Sequence, residues 1–148
     1  MKRKTFLVTG GTGFIGSNIS ELLVKKNYNV KIFDNNSRGD IKRIKNFKKK
    51  IKFIKGDIRK KDSVNRALKN TDAVIHLAYI NGTKNFYKKP VKILEVAVKG
   101  ILNVMDSCVK NNIKELYLAS SSEVYQTPTK VPTDEKESLK IPDIYNPR

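Results

Sequence analysis

Three glycines at regular spacing, Gly10, Gly13 and Gly16, follow the short apolar run Phe6-Leu7-Val8 and open a stretch in which Ile15, Ile19, Leu22 and Leu23 recur at helical spacing. Strand, glycine turn and helix together make a cradle for a pyrophosphate. Gly10 supplies the backbone freedom of a tight turn, Gly13 leaves room for a dinucleotide against the main chain, and Gly16 lets the helix approach the sheet. The first turn of the helix then offers unpaired N–H groups and a partial positive charge to the phosphates. An acid is placed to complete such a site. Asp34 ends the stretch Val30-Lys31-Ile32-Phe33 and lies 24 residues past Gly10 (34 − 10). Dinucleotide folds set an acid on the adenosine ribose at a spacing of about 20, and a carboxylate there repels a 2′-phosphate, which favours NAD over NADP. Two other readings stand beside this one. Asn35-Asn36-Ser37-Arg38-Gly39 is a turn, for which Asp34 is a suitable capping acid. Arg38 is a group that accommodates a 2′-phosphate.

Other chemistry-bearing residue types are sparse. His76 is the one histidine of the chain and has no cysteine or carboxylate cluster beside it, so it reads as structural and not as a metal ligand. Cys108, the one cysteine, falls in a helical pattern, has no partner for an internal disulfide and reads as a small buried apolar residue of a reducing cytoplasm. No apolar stretch approaches the roughly 20 residues of a membrane span, and Phe6-Leu7-Val8 is too short for a signal-peptide core. The formal net charge is +17 over 148 residues. The lysines are spread over nearly every segment, however, and the densest run, Lys48-Lys49-Lys50, contains neither arginine nor a stacking aromatic. This pattern describes a solvated surface that attracts anionic ligands, nucleotides included, and argues against nucleic acid as a partner.

The elements that must position the glycines and Asp34 alternate along the chain. Strands are predicted at Phe6–Val8, Val30–Asp34, Ile51–Lys55, Ala73–Ala78 and Lys114–Ser120. A helix follows the glycine loop, a short one is predicted over Lys60–Leu68, and a long amphipathic one opens at Pro90 and runs to about Lys110, ended by Asn111-Asn112. In that long helix Val91, Leu94, Val98, Ile101, Leu102 and Met105 recur at three and four, enough apolar surface for two faces: one for the sheet, the other for a partner subunit or further chain. The stretch from Gln126 to Pro147 reads as an ordered loop. Strand and helix in alternation imply right-handed crossovers and an α/β Rossmann-type doubly wound parallel sheet with helices on both faces. An order of 3-2-1-4-5 would set the ends of the first and fourth strands around a ligand crevice.

Taken together, these residues resemble the extended short-chain dehydrogenase/reductase family, specifically the NAD-dependent epimerases and dehydratases of nucleotide sugars, over the whole chain. Thr9-Gly10-Gly11-Thr12-Gly13-Phe14-Ile15-Gly16 matches the cofactor loop of the family, and Asp34-Asn35 its ribose-binding pair. Gly56-Asp57-Ile58 resembles the segment that meets the adenine ring, and His76-Leu77-Ala78 the segment along the cofactor beside its nicotinamide half. The resemblance therefore implies NAD as cofactor, held by Gly10, Gly13, Phe14, Ile15, Gly16, Asp34, Asn35, Asp57, Ile58, Leu77 and Ala78. It also implies a nucleotide-sugar substrate, and the second apolar face of the long helix adds the expectation of a homodimer when the chain is full length. Ser120-Ser121-Ser122-Glu123-Val124-Tyr125 resembles the active-site strand end, where Ser121 would hydrogen-bond the sugar at the reacting carbon. Tyr125 matches a structural tyrosine of the family and not its catalytic one.

Departures from the pattern bear on activity. Ala97 stands where family members often have an asparagine in the long helix. The catalytic Tyr and Lys of the family lie four apart on a helix shortly after an Asn-Pro-Arg segment. Asn146-Pro147-Arg148 resembles that segment, and Tyr145 has no lysine four residues on. Residues 1–148 are thus expected to be an NAD-binding domain that precedes the catalytic Tyr-x-x-x-Lys helix and the sugar-binding part, and to be catalytically incomplete alone. Epimerisation is the leading activity. A dehydratase would carry an Asp-Glu pair before Val-Tyr, where this chain has Ser122-Glu123, whereas nucleotide-sugar-acid decarboxylases share the Ser/Thr-x-Glu-Val-Tyr pattern that Ser121 and Glu123 fit. A dinucleotide-binding module without catalysis is the remaining alternative.

Overall fold

Five short strands rich in β-branched and aromatic residues pair in parallel: β1 (Thr5–Thr9), β2 (Asn29–Asp34), β3 (Ile51–Lys55), β4 (Ala73–His76) and β5 (Glu115–Leu118), in the order β3-β2-β1-β4-β5. The register sets Val8 opposite Ile32 on one side and Ile75 on the other. The predicted doubly wound order is the observed one, with the topological switch between β1 and β4. In this computed structural model residues 3–80 and 82–141 are described. The chain divides into two compact units, Met1–Leu118, which holds the whole sheet, and Ala119–Arg148.

Alternation along the central strands builds two cores. Leu7, Phe33 and Val74 point to one face, where α2 (Lys61–Leu68) contributes Val64, Ala67 and Leu68 and the long helix contributes Val96, Val104 and Cys108. Val8, Val30 and Ile32 point to the other, where Leu23 and Val24 of α1 (Phe14–Lys25) pack beside Ile44 and Phe47. These last two belong to a 3-10 segment, Ile41–Lys50, that the sequence reading left without an element. Its apolar residues Ile41, Ile44 and Phe47 recur every third position, the period of a 3-10 helix, and the Asp40 side chain starts it by accepting from Lys42 N–H at 2.9 Å.

Two short helices, α3 (Thr83–Lys88) and α4 (Pro90–Leu94), precede a π turn (Glu95–Lys99) and α5 (Gly100–Lys110). From Pro90 onward the last three form the long helix predicted at this place. Both α1 and α5 end the same way. An asparagine in the left-handed region, Asn27 at φ 65° and Asn112 at φ 52°, turns the chain, and the following residues donate back into the helix, Tyr28 to Leu23 O and Ile113 to Cys108 O.

Of the apolar residues read from the sequence, Leu23 of α1 packs on the core and most of the others lie on the outer side, which in the long helix is the second apolar face expected there. In α1 the buried residues are Gly16, Ser17 and Ser20, while Ile15 and Leu22 are exposed. In the long helix Ile93, Val96, Gly100, Asn103, Val104, Ser107 and Cys108 are buried, while Val91, Leu94, Val98, Leu102 and Met105 are exposed. In α1 small residues let the helix lie close to the sheet; in the long helix Ile93, Val96 and Val104 are buried and the remaining large residues are left on the outer side. The predicted fourth and fifth strands are also shorter than expected. Leu77 N–H is shared between the Thr9 carbonyl and the Thr9 hydroxyl, Ala78 N–H goes to that hydroxyl, β4 ends at His76, and β5 stops at Leu118.

In the second unit, Ser122–Tyr125 forms a 3-10 turn and the rest is turns and bends. The unit is tied internally. Thr129 donates its hydroxyl to Glu137 at 2.7 Å, Lys140 Nζ donates to Thr127 O at 2.8 Å, and Lys140 N–H donates to Val124 O at 2.9 Å. Over its described part the stretch is the ordered loop that was expected.

Candidate functional site

Each glycine of the loop after β1 has its own physical reason. Gly10 sits at φ +70°, donates its N–H to Phe33 O at 2.9 Å, and faces the Leu77–Ala78 peptide so closely that a Cβ on it would stand 2.9 Å from that peptide. A Cβ on Gly16 would overlap the Gly10 carbonyl, so the start of α1 rests directly on the turn. Gly13 differs: its φ of −70° and ψ of 174° suit any residue, and a Cβ there would meet only Gly10 O, at 3.1 Å. That carbonyl apart, nothing among the described residues beyond its chain neighbours stands within 4 Å of such a Cβ, which leaves room beside Gly13 for a ligand. No side chain caps α1, so its first-turn N–H groups stay available to an anion. Phe14 and Ile15 stand 77% and 61% exposed at this helix start.

Asp34 is buried at the end of β2 and does the work of a turn acid. Oδ2 accepts the Thr12 N–H at 3.0 Å and Oδ1 the Asn36 N–H at 2.8 Å. Each oxygen retains a lone pair for a further donor such as a ribose hydroxyl, so the two sequence readings of this residue are compatible. Thr12, which the sequence reading passed over, is the centre of the arrangement. Fully buried, it donates its hydroxyl to Asn36 Oδ1 at 2.9 Å, and its carbonyl accepts from Asp40 N–H at 3.0 Å and Arg43 Nη1 at 3.2 Å. Gly39 is pressed onto it where any Cβ would collide. The one signal in the sequence was a glycine closing the Asn35–Arg38 turn. Arg38 itself lines a shallow cleft of about 110 Å³ with Ser37, Ile80, Asn85, Lys89, Lys92 and Ile93.

Asn35 links the β2 end to the turn after β3, donating Nδ2 to Asp57 Oδ2 at 3.4 Å. Asp57 accepts from Arg59 through its backbone N–H at 2.9 Å and through Nη2 at 2.7 Å, and this grip holds its carboxyl below the usual carboxylate range. Ile58 turns its side chain into the core, and its carbonyl accepts from Asn103 Nδ2 at 2.9 Å. Leu77 and Ala78 likewise pack their side chains against the two cores. Ile58, Leu77 and Ala78 therefore present main chain to the crevice, and their side chains serve the packing behind it.

His76 is buried at the end of β4, with Nδ1 2.8 Å from Thr9 Oγ1. That oxygen already accepts the Leu77 and Ala78 N–H groups at 3.1 and 3.2 Å. The Thr9 hydroxyl proton is left for Nδ1, which places the ring proton on Nε2. Burial alone holds the ring pKa down, to about 4, so it is neutral at pH 7. Its ring ties the end of β4 to β1 through Thr9, and among the described residues no group of His, Cys, Asp and Glu forms a metal cluster. Cys108 is buried, and burial pushes its thiol up.

The first unit thus brings together the glycine loop, Asp34, Asn35, Asp57, Ile58, Leu77 and Ala78 at the carboxyl ends of the strands. Ser121 and Glu123 stand in the second unit. There Ser121 Oγ accepts Glu123 N–H at 3.2 Å, which leaves its own proton to donate, and both residues are exposed. Tyr145 and Asn146-Pro147-Arg148 lie outside the described residues.

Comparison with known proteins bears on this arrangement. The family model described as GDP-mannose 4,6 dehydratase matches residues 7–145. A UDP-N-acetyl-alpha-D-glucosaminuronate decarboxylase of Bacillus cytotoxicus is 37% identical over 123 residues, covering 83% of this chain and 38% of that protein. A UDP-glucose 4-epimerase of Neisseria meningitidis is 34% identical over 142 residues, covering 92% and 42%. Among solved structures, an epimerase of Methanothermobacter thermautotrophicus superposes with a TM-score of 0.87 at 34% identity, covering 95% of this chain and 42% of the other. The Thermus thermophilus UDP-glucose 4-epimerase complex with NAD gives 0.82 at 31%, covering 92% and 44%. The chain spans less than half the length of each of these relatives.

Proposed function

This chain belongs to the NAD-dependent nucleotide-sugar epimerase and dehydratase family of extended short-chain dehydrogenases/reductases, and from that premise we propose that it is the NAD-binding part of a nucleotide-sugar epimerase. The observation that carries the proposal is the uncapped start of α1 resting on Gly10, with Gly13 crowded only by the Gly10 carbonyl and a buried carboxylate at Asp34. Those residues fit a dinucleotide. The α1 N–H groups would hold the pyrophosphate, Asp34 and Asn35 the adenosine ribose, the Asp57-Ile58 turn the adenine, and the Leu77–Ala78 main chain the nicotinamide half, with Phe14 and Ile15 flanking the entrance. When bound, NAD supplies the hydride acceptor for transient oxidation of a sugar hydroxyl.

Ser121 would hold that hydroxyl, accepting or donating as it changes to a carbonyl. It does not remove the proton at neutral pH, and residues 1–148 contain no Tyr-x-x-x-Lys pair. The general base, worth a factor of roughly 10² to 10⁴, belongs in this reading to the part of the relatives that these residues do not span. Outward-facing Leu94, Val98, Leu102 and Met105, spaced by three and four, suit a homodimer through the long helix. Among the described residues no helix is long and apolar enough to cross a membrane, and the proposed setting is the cytoplasm.

Decarboxylation of a nucleotide-sugar acid is the second reading. It is favoured by Glu123 in its Ser-x-Glu setting and by the likeness to the Bacillus decarboxylase.

Calorimetric titration with NAD and NADP tests the cofactor. NAD is expected to bind more tightly, and Asp34→Ala to narrow the preference; tighter NADP binding would assign the choice to Arg38. Gly13→Val is expected to weaken NAD by at least about 100-fold, because its side chain fills the cradle while its backbone conformation suits valine. A Gly13→Val protein with unchanged NAD affinity would place the cofactor elsewhere. Chromatography of UDP- and GDP-sugars after incubation separates epimer from decarboxylated product.

A further inference from the structure

The long helix holds the turn Asp57-Ile58-Arg59 at three points. Arg59 Nη1 donates to Glu95 Oε2 at 2.8 Å, and Asn103 Nδ2 donates to the Ile58 carbonyl at 2.9 Å in a buried place. Gly100 lies so close over Ile58 that a Cβ on it would overlap Ile58 Cδ1. On a regular α-helix these three residues do not share a face. Glu95 and Gly100, five apart, would stand about 140° from each other at roughly 100° per residue. The π turn Glu95–Lys99 removes the misfit. Its i→i+5 bonding, seen in the Gly100 N–H to Glu95 O bond, brings residues five apart together, and Asn103 follows Gly100 at i+3 on the same side.

We propose that Arg59 and Asn103 are positioning residues for adenine recognition, and that the π turn is the device that lets the long helix hold them in register. This rests on the cofactor reading above. Arg59 grips the Asp57 carboxylate from Nε at 3.1 and 3.2 Å and from Nη2 at 2.7 Å, and this two-pronged geometry fixes the plane in which the remaining lone pairs point. Without it, among the described residues the one side-chain donor left on Asp57 is Asn35, at 3.4 Å. The Arg59–Glu95 pair is partly exposed, with side chains 30% and 46% accessible, so its value lies in direction and not in Coulomb energy. Asn103 acts on the neighbouring residue by fixing the Ile58 peptide. A carboxylate so oriented accepts from an exocyclic amine and repels a ring carbonyl.

The test titrates the purified protein with NAD and with its hypoxanthine analogue, in which a carbonyl replaces the adenine amino group. The unmodified protein is expected to prefer NAD. In Arg59→Ala and in Asn103→Ala, NAD should bind about tenfold more weakly while the analogue changes little, so the preference collapses. Arg59→Lys should recover only part of it, because a point charge does not reproduce the fork. Folded variants that bind NAD as tightly as the unmodified protein, or that lose both dinucleotides equally, overturn the proposal. Should Asn103→Ala fail to fold, Arg59→Ala decides alone, since that side chain is not in the core. Unmodified protein that binds neither dinucleotide overturns the cofactor reading itself, a result distinct from loss of the preference alone.

Discussion

On one face of the sheet, α2 and the long helix pack Val64, Leu68, Val96 and Val104 against Leu7, Phe33 and Val74. On the other, α1 sets Gly16, Ser17 and Ser20 against the strands, and much of the apolar volume comes from Ile44 and Phe47 of the 3-10 segment. The difference follows from what α1 has to do. Its first turn must reach the carboxyl end of β1 closely enough to serve the crevice, and bulk between helix and sheet would push it away. The long helix has no such duty at its own start and packs at ordinary distance through larger side chains. Apolar bulk and proximity are thus exchanged across one sheet.

Substitutions on the two faces should separate these roles. Phe33→Ala, on the long-helix face and fully buried, is expected to cost about 4 kcal/mol through transfer and cavity formation; a urea denaturation series measures it. A loss below 1 kcal/mol would mean that this face is not packed as described.

His76 lies on the same side of the sheet as Leu7 and Val74, and its effect is read through pH. Its folded pKa, about 4, is below the ordinary 6.5. Above pH 6.5 neither state holds the proton. As pH falls from 6.5 toward 4 the unfolded chain takes up a proton that the folded one refuses, so stability declines, by about 3 kcal/mol in full, and this contribution stops changing below the folded value. Denaturation midpoints at pH 7, 5.5 and 4.5 should follow that decline, and His76→Gln should flatten it. An unchanged slope in the variant would assign the decline to carboxylates.

Smaller effects are expected on the α1 face. Ser20→Leu should cost about 2 kcal/mol by wedging the helix off the sheet. Ser20→Ala should instead stabilise by up to about 1 kcal/mol, because the buried Ser20 hydroxyl has no hydrogen-bond partner among the described residues. Thermal melts of the pair check both signs, and destabilisation by alanine would show that this hydroxyl is bonded after all.

The same contrast explains what could be read from the chain before its structure. Parallel strands, their order, the glycine loop and Asp34 were legible because each leaves a local mark: an apolar run, a fixed spacing, an acid at a strand end. The Asn111-Asn112 stop was legible because a left-handed residue favours asparagine at a helix end. Helix orientation was not. In α1 the exposed Ile15 and Leu22 mark the outer side and the inner side is written largely in Gly16, Ser17 and Ser20, which carry no hydrophobic signal; in the long helix Val96 and Val104 face inward among Gly100, Asn103 and Ser107, and the longer apolar stripe marks the outer side. Thr12 was missed because its partners, Asp34, Asn36, Gly39, Asp40 and Arg43, converge only after β2 pairs with β1. The grip of Arg59 on Asp57 spans two residues, but its tie to Glu95 depends on a π turn that no pattern announced.

The Thr9 hydroxyl, shared among His76, Leu77 and Ala78, also makes the molecule its own spectroscopic probe. The one imidazole of the chain is held in a single tautomer, so its two ring nitrogens should give one pyrrole-like and one pyridine-like resonance, free of overlap from any other histidine. Whatever displaces the Leu77–Ala78 main chain also moves the hydroxyl that donates to Nδ1. A shift of the pyridine-like line would report occupancy of the crevice without any label being attached there.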